Sequence, residues 1–300
     1  LKTSYTSSSV TYAYQAAVAL DTSSNLWVSD SGNHRLLRYP QAKVYGATFA
    51  DGNTSIEADL VLGQSSFTTA TANPGSTTIS STRNDRLLKG SIRFGGPIAF
   101  DTAGNLFFAD NLDRVLVWRN PSTSGQLAER ILGVWSSTTS GPAINDTTFA
   151  GYALSSVWSY GPRGLFTIGD YVYVIDSGFN RILRFDPVST WATEATLYSP
   201  SAKAVYGQPD FNSGSANRWS WVEPSAAYFD TPVAAAAANG EVFIVDQANN
   251  RVVVSTITDE GKGFTPATRM LGQFDFALRA PNMLDASGFG GAMMSVASGS

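Results

Sequence analysis

Two short motifs recur four times in this 300-residue chain, always in the same order. The first motif is an apolar run, an aspartate, a polar turn, an arginine and a second apolar run. It contains Asp30 with Arg35, Asp110 with Arg114, Asp176 with Arg181, and Asp246 with Arg251. The second motif reads LVLGQSSF at 60–67, RILGVWSS at 130–137, AVYGQPDF at 204–211 and RMLGQFDF at 269–276. Two motifs repeating in phase indicate a repeat protein, in which every unit has the same supersecondary structure.

Each repeat contains four candidate strands. The apolar runs are short, rich in β-branched or aromatic residues, and bounded by Gly, Asn, Asp and Pro, as strands require. The strand upstream of the first motif reads AAVALD at 16–21, PIAFD at 97–101, GLFTIGD at 164–170 and PVAAAAANG at 232–240. Four short antiparallel strands per repeat form the blade of a propeller. The sequence therefore predicts an all-β protein, a β-propeller of four-stranded antiparallel blades with four complete repeats and a partial terminal blade.

The first motif resembles the NHL repeat, most closely in DSGNHR at 30–35 and DSGFNR at 176–181. The resemblance covers roughly residues 16–276, and the LGQ-x-x-F element is similar to a variety of that repeat with long loops between blades. It implies a propeller, commonly six-bladed, in a family that includes extracellular proteins and interaction domains and is related to metal-assisted lyases and lactonases. Two departures are the repeat length of about 70 residues and a second unit one residue short between Asp and Arg.

The repeats divide a single predicted domain, 1–300, into units of approximately 16–94, 95–160, 161–231 and 232–291. Residues 292–300 match the start of an innermost strand, and 1–15 contain one alternating run, so the two ends are expected to contribute to a partial blade. A propeller must close, because an open end exposes an unpaired edge. Three solutions stay open: a composite blade made by both termini, a larger ring of which this chain is a piece, or completion by a neighbouring copy.

The repeated aspartates and arginines have two interpretations. In the first, each aspartate caps its turn or pairs with the arginine of the same blade. In the second, carboxylates form a calcium site, for which several ligands must converge on one point. Once-per-blade spacing favours the first interpretation. Asp21, Asp101 and Asp170 follow the first strand of their units and are interpreted as turn residues, with calcium ligation at the channel mouth as the alternative.

The long inter-blade loops carry the remaining candidates for a site, because loops on a rigid scaffold often carry function. Their aromatic residues predict a ligand, glycan or protein contact surface; the alternative is that they fill gaps between blades. The candidate binding residues are Trp135, Trp158, Trp219 and Trp221. Asn53 and Asn145 begin Asn-x-Ser/Thr triplets and are candidate N-glycosylation sites.

Composition narrows the function. A net charge of −4 gives no general attraction to nucleic acid, and no apolar run reaches the roughly 18 residues needed to insert into a membrane. His34 is the only histidine and there is no cysteine, which excludes multi-histidine zinc sites and thiolate chemistry within one chain.

We therefore expect a non-enzymatic extracellular or cell-surface module without a cofactor. Its expected partners are proteins, including copies of itself that assemble into a filament, or glycans. The alternatives are a calcium-dependent propeller hydrolase or lyase, lactonase-like, and a monomeric glycan-binding module.

Overall fold

The structure is a computed structural model that describes residues 4–7, 10–13, 16–45, 55–71, 96–110, 114–133, 143–150, 162–193, 199–219 and 223–280. Of 4–7, 10–13 and residue 110 only the backbone is described. The described chain is almost entirely β-structure, with one short α-helix, α1 (Gln41–Tyr45). Within these ranges, no helix is both long enough and apolar enough to cross a membrane.

Four antiparallel sheets follow one another along the chain, and in each the four repeat strands lie in chain order. Blade 1 consists of β3 (Val18–Leu20), β4 (Leu26–Asp30), β5 (Arg35–Tyr39) and β6 (Leu60–Leu62). Blade 2 consists of β7 (Ile98–Phe100), β8 (Leu106–Asp110), β9 (Arg114–Trp118) and β10 (Arg130–Leu132). Blade 3 consists of β11 (Pro162–Ile168), β12 (Tyr171–Asp176), β13 (Arg181–Phe185) and β14 (Ala204–Tyr206). Blade 4 consists of β15 (Pro232–Ala238), β16 (Glu241–Asp246), β17 (Arg251–Thr258) and β19 (Arg269–Leu271).

Two further pairings lie outside this pattern. Strands β1 (Ser4–Ser7) and β2 (Val10–Ala13) form a two-stranded sheet of their own. Strand β18 (Gly263–Phe264) pairs with the end of β17 and makes a hairpin that the described residues of the other blades lack. The segment 292–300, predicted to join a partial blade, lies outside the described residues.

The blades are arranged as in a propeller. Their first strands contact one another in sequence, β3 with β7, β7 with β11 and β11 with β15, so these four strands lie nearest the common axis. Three apolar clusters fill the spaces between successive blades: one between blades 1 and 2, one between blades 2 and 3, and one between blades 3 and 4. The predicted fold class, four four-stranded antiparallel blades of a β-propeller, is confirmed.

The hairpin between the second and third strands has the same register in all four blades. The aspartate that ends the second strand is the cross-strand partner of the arginine that begins the third. In blades 1, 3 and 4 a 3-10 turn follows the aspartate and ends in a left-handed residue, His34, Asn180 or Asn250, with φ between 52° and 55°. Asn and His are among the residues that tolerate this backbone conformation, which explains their position in the motif.

Candidate functional site

The repeated Asp–Arg pairs were the first candidates for chemistry, and each joins residues of its own blade. The Arg Nε donates to an aspartate oxygen at 2.8 Å in Arg35–Asp30, at 2.9 Å in Arg181–Asp176 and at 2.8 Å in Arg251–Asp246. Arg114 is also buried, and the Asp110 side chain lies outside the described residues. These geometries are those of structural ion pairs.

The other guanidinium nitrogens connect the pairs to loops, to one loop in blade 1 and to two loops in blades 3 and 4. Nη1 donates to the backbone carbonyl of the phenylalanine in the LGQ-x-x-F element, at 2.5 Å to Phe67, 2.6 Å to Phe211 and 2.8 Å to Phe276. Nη2 of Arg181 and of Arg251 reaches back to the loop before the blade. Its acceptors are the carbonyls of Asn145 and Thr148 for Arg181, and of Ser225 and Tyr228 for Arg251. Arg181 and Arg251 thus each bind together their hairpin, their own loop and the preceding loop.

Burial dominates the titration of the two most enclosed carboxylates. It raises the pKa of Asp246 to about 6, although Arg251, Asn249 and the Asp230 amide all favour the ionised form. The pKa of Asp176 is raised for the same reason and against the opposing charge of Arg181. A buried acid that keeps a cation partner is a common structural arrangement, so these shifts do not identify a catalytic group by themselves.

Asp21, Asp101 and Asp170 cap turns between the first and second strands. Asp21 accepts bonds from the amides of Ser23 and Asn25 and from the Trp27 indole; although burial opposes it, these bonds lower its pKa. Asp101 accepts from Asn105, and burial raises its pKa. Asp170 reaches across to the same turn of blade 2 and accepts from its Thr102 hydroxyl and Ala103 amide. Within the described ranges, no three His, Cys, Asp or Glu side chains are grouped as a metal site would need.

The glutamine of the second motif is a further structural residue. In Gln64, Gln208 and Gln273, Nε2 donates to a carbonyl of the 3-10 turn and to a carbonyl seven residues further along the chain. The recurrence of LGQ was visible in the sequence, but this role was not. The glutamine fixes the start of each loop to the hairpin.

The predicted loop residues have different outcomes. Trp219 is described and is 61% exposed. Asn145 is half-buried, and its Oδ1 accepts bonds from the Thr147 amide and hydroxyl. The predictions for Trp135, Trp158, Trp221 and Asn53 fall on residues outside the described ranges.

One cleft stands out, between blades 3 and 4, with a volume of about 210 Å³. Tyr206 of blade 3 and Phe264 of the β17–β18 hairpin stack there, with ring centroids 3.8 Å apart. Gly207 has φ +84°, and a Cβ on it would lie 2.2 Å from the Phe229 ring, so only glycine fits this wall. Tyr228 forms the outer wall. The cleft depends on a pairing of blades that no local sequence pattern reveals.

The second notable surface is the face of blade 4 that points away from blade 3. Leu62, Leu132, Tyr206 and Leu271 occupy the same repeat position, directly before the motif glycine. Leu62 packs against blade 2 and Leu132 against blade 3, and both are fully buried. Leu271 is 54% exposed and Phe274, three residues later, is 77% exposed. We call this surface the trailing face of blade 4.

The opposite end of the blade series shows a matching exposure. Val18 of β3 pairs with Val28 as Ile98 of β7 pairs with Phe108, so Val18 and Ile98 are equivalent. Ile98 packs against blade 1 and is 7% exposed, whereas Val18 is 38% exposed. Leu20, on the same side of β3 as Val18, is exposed as well. We call this surface the leading face of blade 1.

No protein-family model and no curated protein matches the sequence. Several solved β-propeller structures are similar to the chain. Virginiamycin B lyase from Staphylococcus aureus is 12% identical in sequence; the match covers 88% of this chain and 62% of the lyase, with a TM-score of 0.38. A putative 6-phosphogluconolactonase from Bacteroides fragilis matches at 10% identity, over 92% of this chain and 59% of that one, with a TM-score of 0.45. The RRP9 WD40 repeats match at 12% identity, over 83% and 51%, with a TM-score of 0.40. The chain spans about three fifths of the length of the first two. None of these similarities assigns an activity to it.

Proposed function

We propose that this chain is an NHL-type propeller that works outside the cell or on its surface as a non-enzymatic interaction and structural module. In this proposal, copies of the chain associate head to tail, with the trailing face of blade 4 on one copy meeting the leading face of blade 1 on the next. The proposal is carried by one observation: Leu271 is exposed at a position where the equivalent leucines of blades 1 and 2 are completely buried.

The composition of the trailing face supports a docking role. Leu271 and Phe274 are exposed, and Phe243 and Val252 are only half-buried. Val252 is the cross-strand partner of Leu271, so these two apolar residues lie side by side. Contiguous exposed apolar patches are uncommon on monomeric proteins, and where they occur they usually mark interaction surfaces.

The leading face of blade 1 is the natural complement of this patch. Within the chain, the trailing faces of the first three blades are covered by the leading face of the next blade: blade 2 covers blade 1, blade 3 covers blade 2, and blade 4 covers blade 3. Val18 and Leu20 are the exposed members of the one leading face that no described blade covers. A second copy could therefore repeat an interface that the fold already uses three times.

Such a contact is heterologous, because two different surfaces meet. Heterologous contacts generate a closed ring when the rotation between copies closes and a filament when it does not. The repeated carboxylates of Asp30, Asp176 and Asp246 are each bonded to an arginine of their own blade. This structural use of the carboxylates agrees with a role as an interaction module.

The test is multi-angle light scattering and negatively stained micrographs of the full chain over a range of concentrations. We expect assemblies that grow with concentration, and we expect Leu271→Asp to remain monomeric, because a charge would be buried in an apolar contact. Leu127→Asp is the matched control: Leu127 is similarly exposed but lies between β9 and β10 of blade 2, away from both open faces. A monomeric wild type at high concentration, or equal disruption by the control, would refute the proposal.

A further inference from the structure

The loop that leads into the blade 3–4 cleft has an unusual backbone. Asn217 and Arg218 are consecutive non-glycine residues with positive φ, 48° and 70°. Each such residue costs roughly 1 kcal/mol or more and persists only where the surroundings enforce it. Asn217 is buried, and it exchanges two amide hydrogen bonds with Asn249 of blade 4, of 3.1 and 2.9 Å. Because Asn249 also donates to Asp246, the strained turn is anchored to an Asp–Arg pair.

This anchoring displays two side chains. Arg218 is exposed, and Trp219 beside it is 61% exposed. The Arg218 guanidinium lies over the Tyr228 ring, 5.7 Å from its centroid, and Nη1 is 3.4 Å from the Tyr228 hydroxyl. Tyr228 lines the cleft, so the Arg218 guanidinium lies directly beside a cleft residue. No other repeat contains this sequence.

The Arg218 charge is not neutralised by the described parts of the chain. Arg218 forms no ion pair with a described residue, unlike Arg35, Arg181 and Arg251. None of the residues that line the cleft carries a carboxylate. A guanidinium with aromatic neighbours and no acidic partner is suited to bind a carboxylate from a ligand, often through two parallel bonds.

The wall of the cleft also contains a buried polar side chain. Gln208 lines the cleft and is 6% exposed. Its Nε2 donates to the carbonyls of Asn180 and Ser215, and its buried Oε1 accepts no hydrogen bond from a described residue. In blade 1 the equivalent Gln64 Oε1 accepts the Thr71 amide at 3.2 Å. Gln273 shares the open acceptor but faces no second blade among the described residues. The hydroxyls of Ser255 and Thr265 add neutral polar groups to the cleft.

We propose that this cleft is a binding site for one acidic sugar residue, a uronic acid or a sugar of similar chemistry. Its carboxylate meets Arg218, and its apolar ring faces contact Tyr228 in the wall of the cleft and Trp219 beside Arg218. A cleft of about 210 Å³ is small for a ligand pocket, which suits a single ring better than a longer group. The site lies between blades 3 and 4 and does not rest on self-assembly.

The test is isothermal titration of the full chain with methyl glucuronide and with neutral methyl glucoside. We expect the acid to bind more tightly by about tenfold, as one charge-assisted pair implies. Arg218→Gln should abolish that preference, and Arg218→Lys should keep part of it. Trp219→Ala should weaken both sugars. Arg119→Gln, at an exposed arginine of blade 2, is the matched control and should change nothing.

Three results would overturn the assignment. The first is no binding of the acid at millimolar concentration, and the second is equal binding of both sugars by the wild type. The third is binding of neither sugar together with loss of self-association in Trp219→Ala, which would make the loop a protein contact. Failure here leaves the light-scattering result for Leu271→Asp unaffected, so the two proposals stand or fall separately.

Discussion

Leu132 of blade 2 and Leu271 of blade 4 are the same residue at the same point of the repeat, yet one is completely buried and the other is 54% exposed. Leu132 packs against the strands of blade 3, and no described blade lies beyond Leu271. The comparison separates what the repeat sequence determines from what the neighbouring blade determines. The repeat determines which residue type stands at each position, whereas burial depends on whether a following blade is present.

The Asp–Arg pairs differ in a similar way between blade 1, which no described blade precedes, and blades 3 and 4, where both side chains of each pair are 0% exposed. The side chains of Arg181 and Asp176 in blade 3 are 0% exposed, and Arg181 reaches back to two carbonyls of the preceding loop. Arg35 of blade 1 is 17% exposed although its bond to Asp30 has nearly the same length. An identical ion pair is therefore expected to contribute differently according to its place in the blade series.

The largest expected effect is at the pair of blade 3. Arg181→Met should lower the free energy of unfolding by about 3–5 kcal/mol, because it leaves the Asp176 carboxylate and several carbonyls buried without their donor. Arg35→Met should cost clearly less, since solvent can partly replace the lost donor. Urea unfolding followed by circular dichroism measures both. Equal losses for the two variants would contradict this distinction between blade 1 and the later blades.

A second pair of variants tests the leucines directly. Leu132→Ala should destabilise the chain by about 2–5 kcal/mol, the usual loss for a buried leucine that leaves a cavity. Leu271→Ala should change the stability of the monomer by less than about 0.5 kcal/mol, as is usual at exposed positions. The comparison must be made at a concentration where light scattering shows monomers. A large loss for Leu271→Ala in that state would mean that its face is already covered within the chain.

A smaller effect concerns pH. Asp246 has a pKa of about 6 in the folded chain against an ordinary value of 3.8, so the folded chain binds this proton more tightly than the unfolded chain does. The contribution to stability is therefore complete below the ordinary value and is lost as pH rises through 6. On lowering pH from about 7 to about 5, this group should raise the free energy of unfolding by about 1 kcal/mol.

Asp246→Asn provides the control for that titration. The variant should be less stable overall, because Arg251 loses its charged partner, but it should lack this part of the pH dependence. Chemical unfolding of both proteins at a series of pH values measures the difference. Parallel pH profiles would show that the Asp246 carboxyl does not take up its proton in this range.

The sequence predicted the blades well because their pattern is local. Alternating and buried runs, an aspartate at the end of the second strand and a glycine after the fourth recur at regular intervals, and the structure has strands at each of these places. The β17–β18 hairpin was not predicted, since Gly263 and Phe264 form too short a run to give a strand pattern. Its role depends on contacts with blade 3, such as the bond from the Tyr173 hydroxyl to the Gly261 carbonyl.

The candidate sites were less predictable for a physical reason. Trp219 was identified from its residue type, but Arg218 carries no local signal, because its exposure follows from a buried contact between Asn217 and Asn249, 32 residues apart. The left-handed backbone at Arg218 is equally hidden, since arginine gives no indication of it. The open faces could be inferred only from the number of blades, and their residues could be named only once the strand register was known.

The arginines of the pairs in blades 3 and 4 bind backbone carbonyls of the preceding loop rather than its side chains. Asn145 and Thr148 serve Arg181, whereas Ser225 and Tyr228 serve Arg251, and the two loops share no sequence at these points. Every residue type provides the same carbonyl, so mutation of these loops leaves the attachment intact. The loops are thereby free to diversify during evolution while the frame that holds them is preserved, and recognition can change without a new fold.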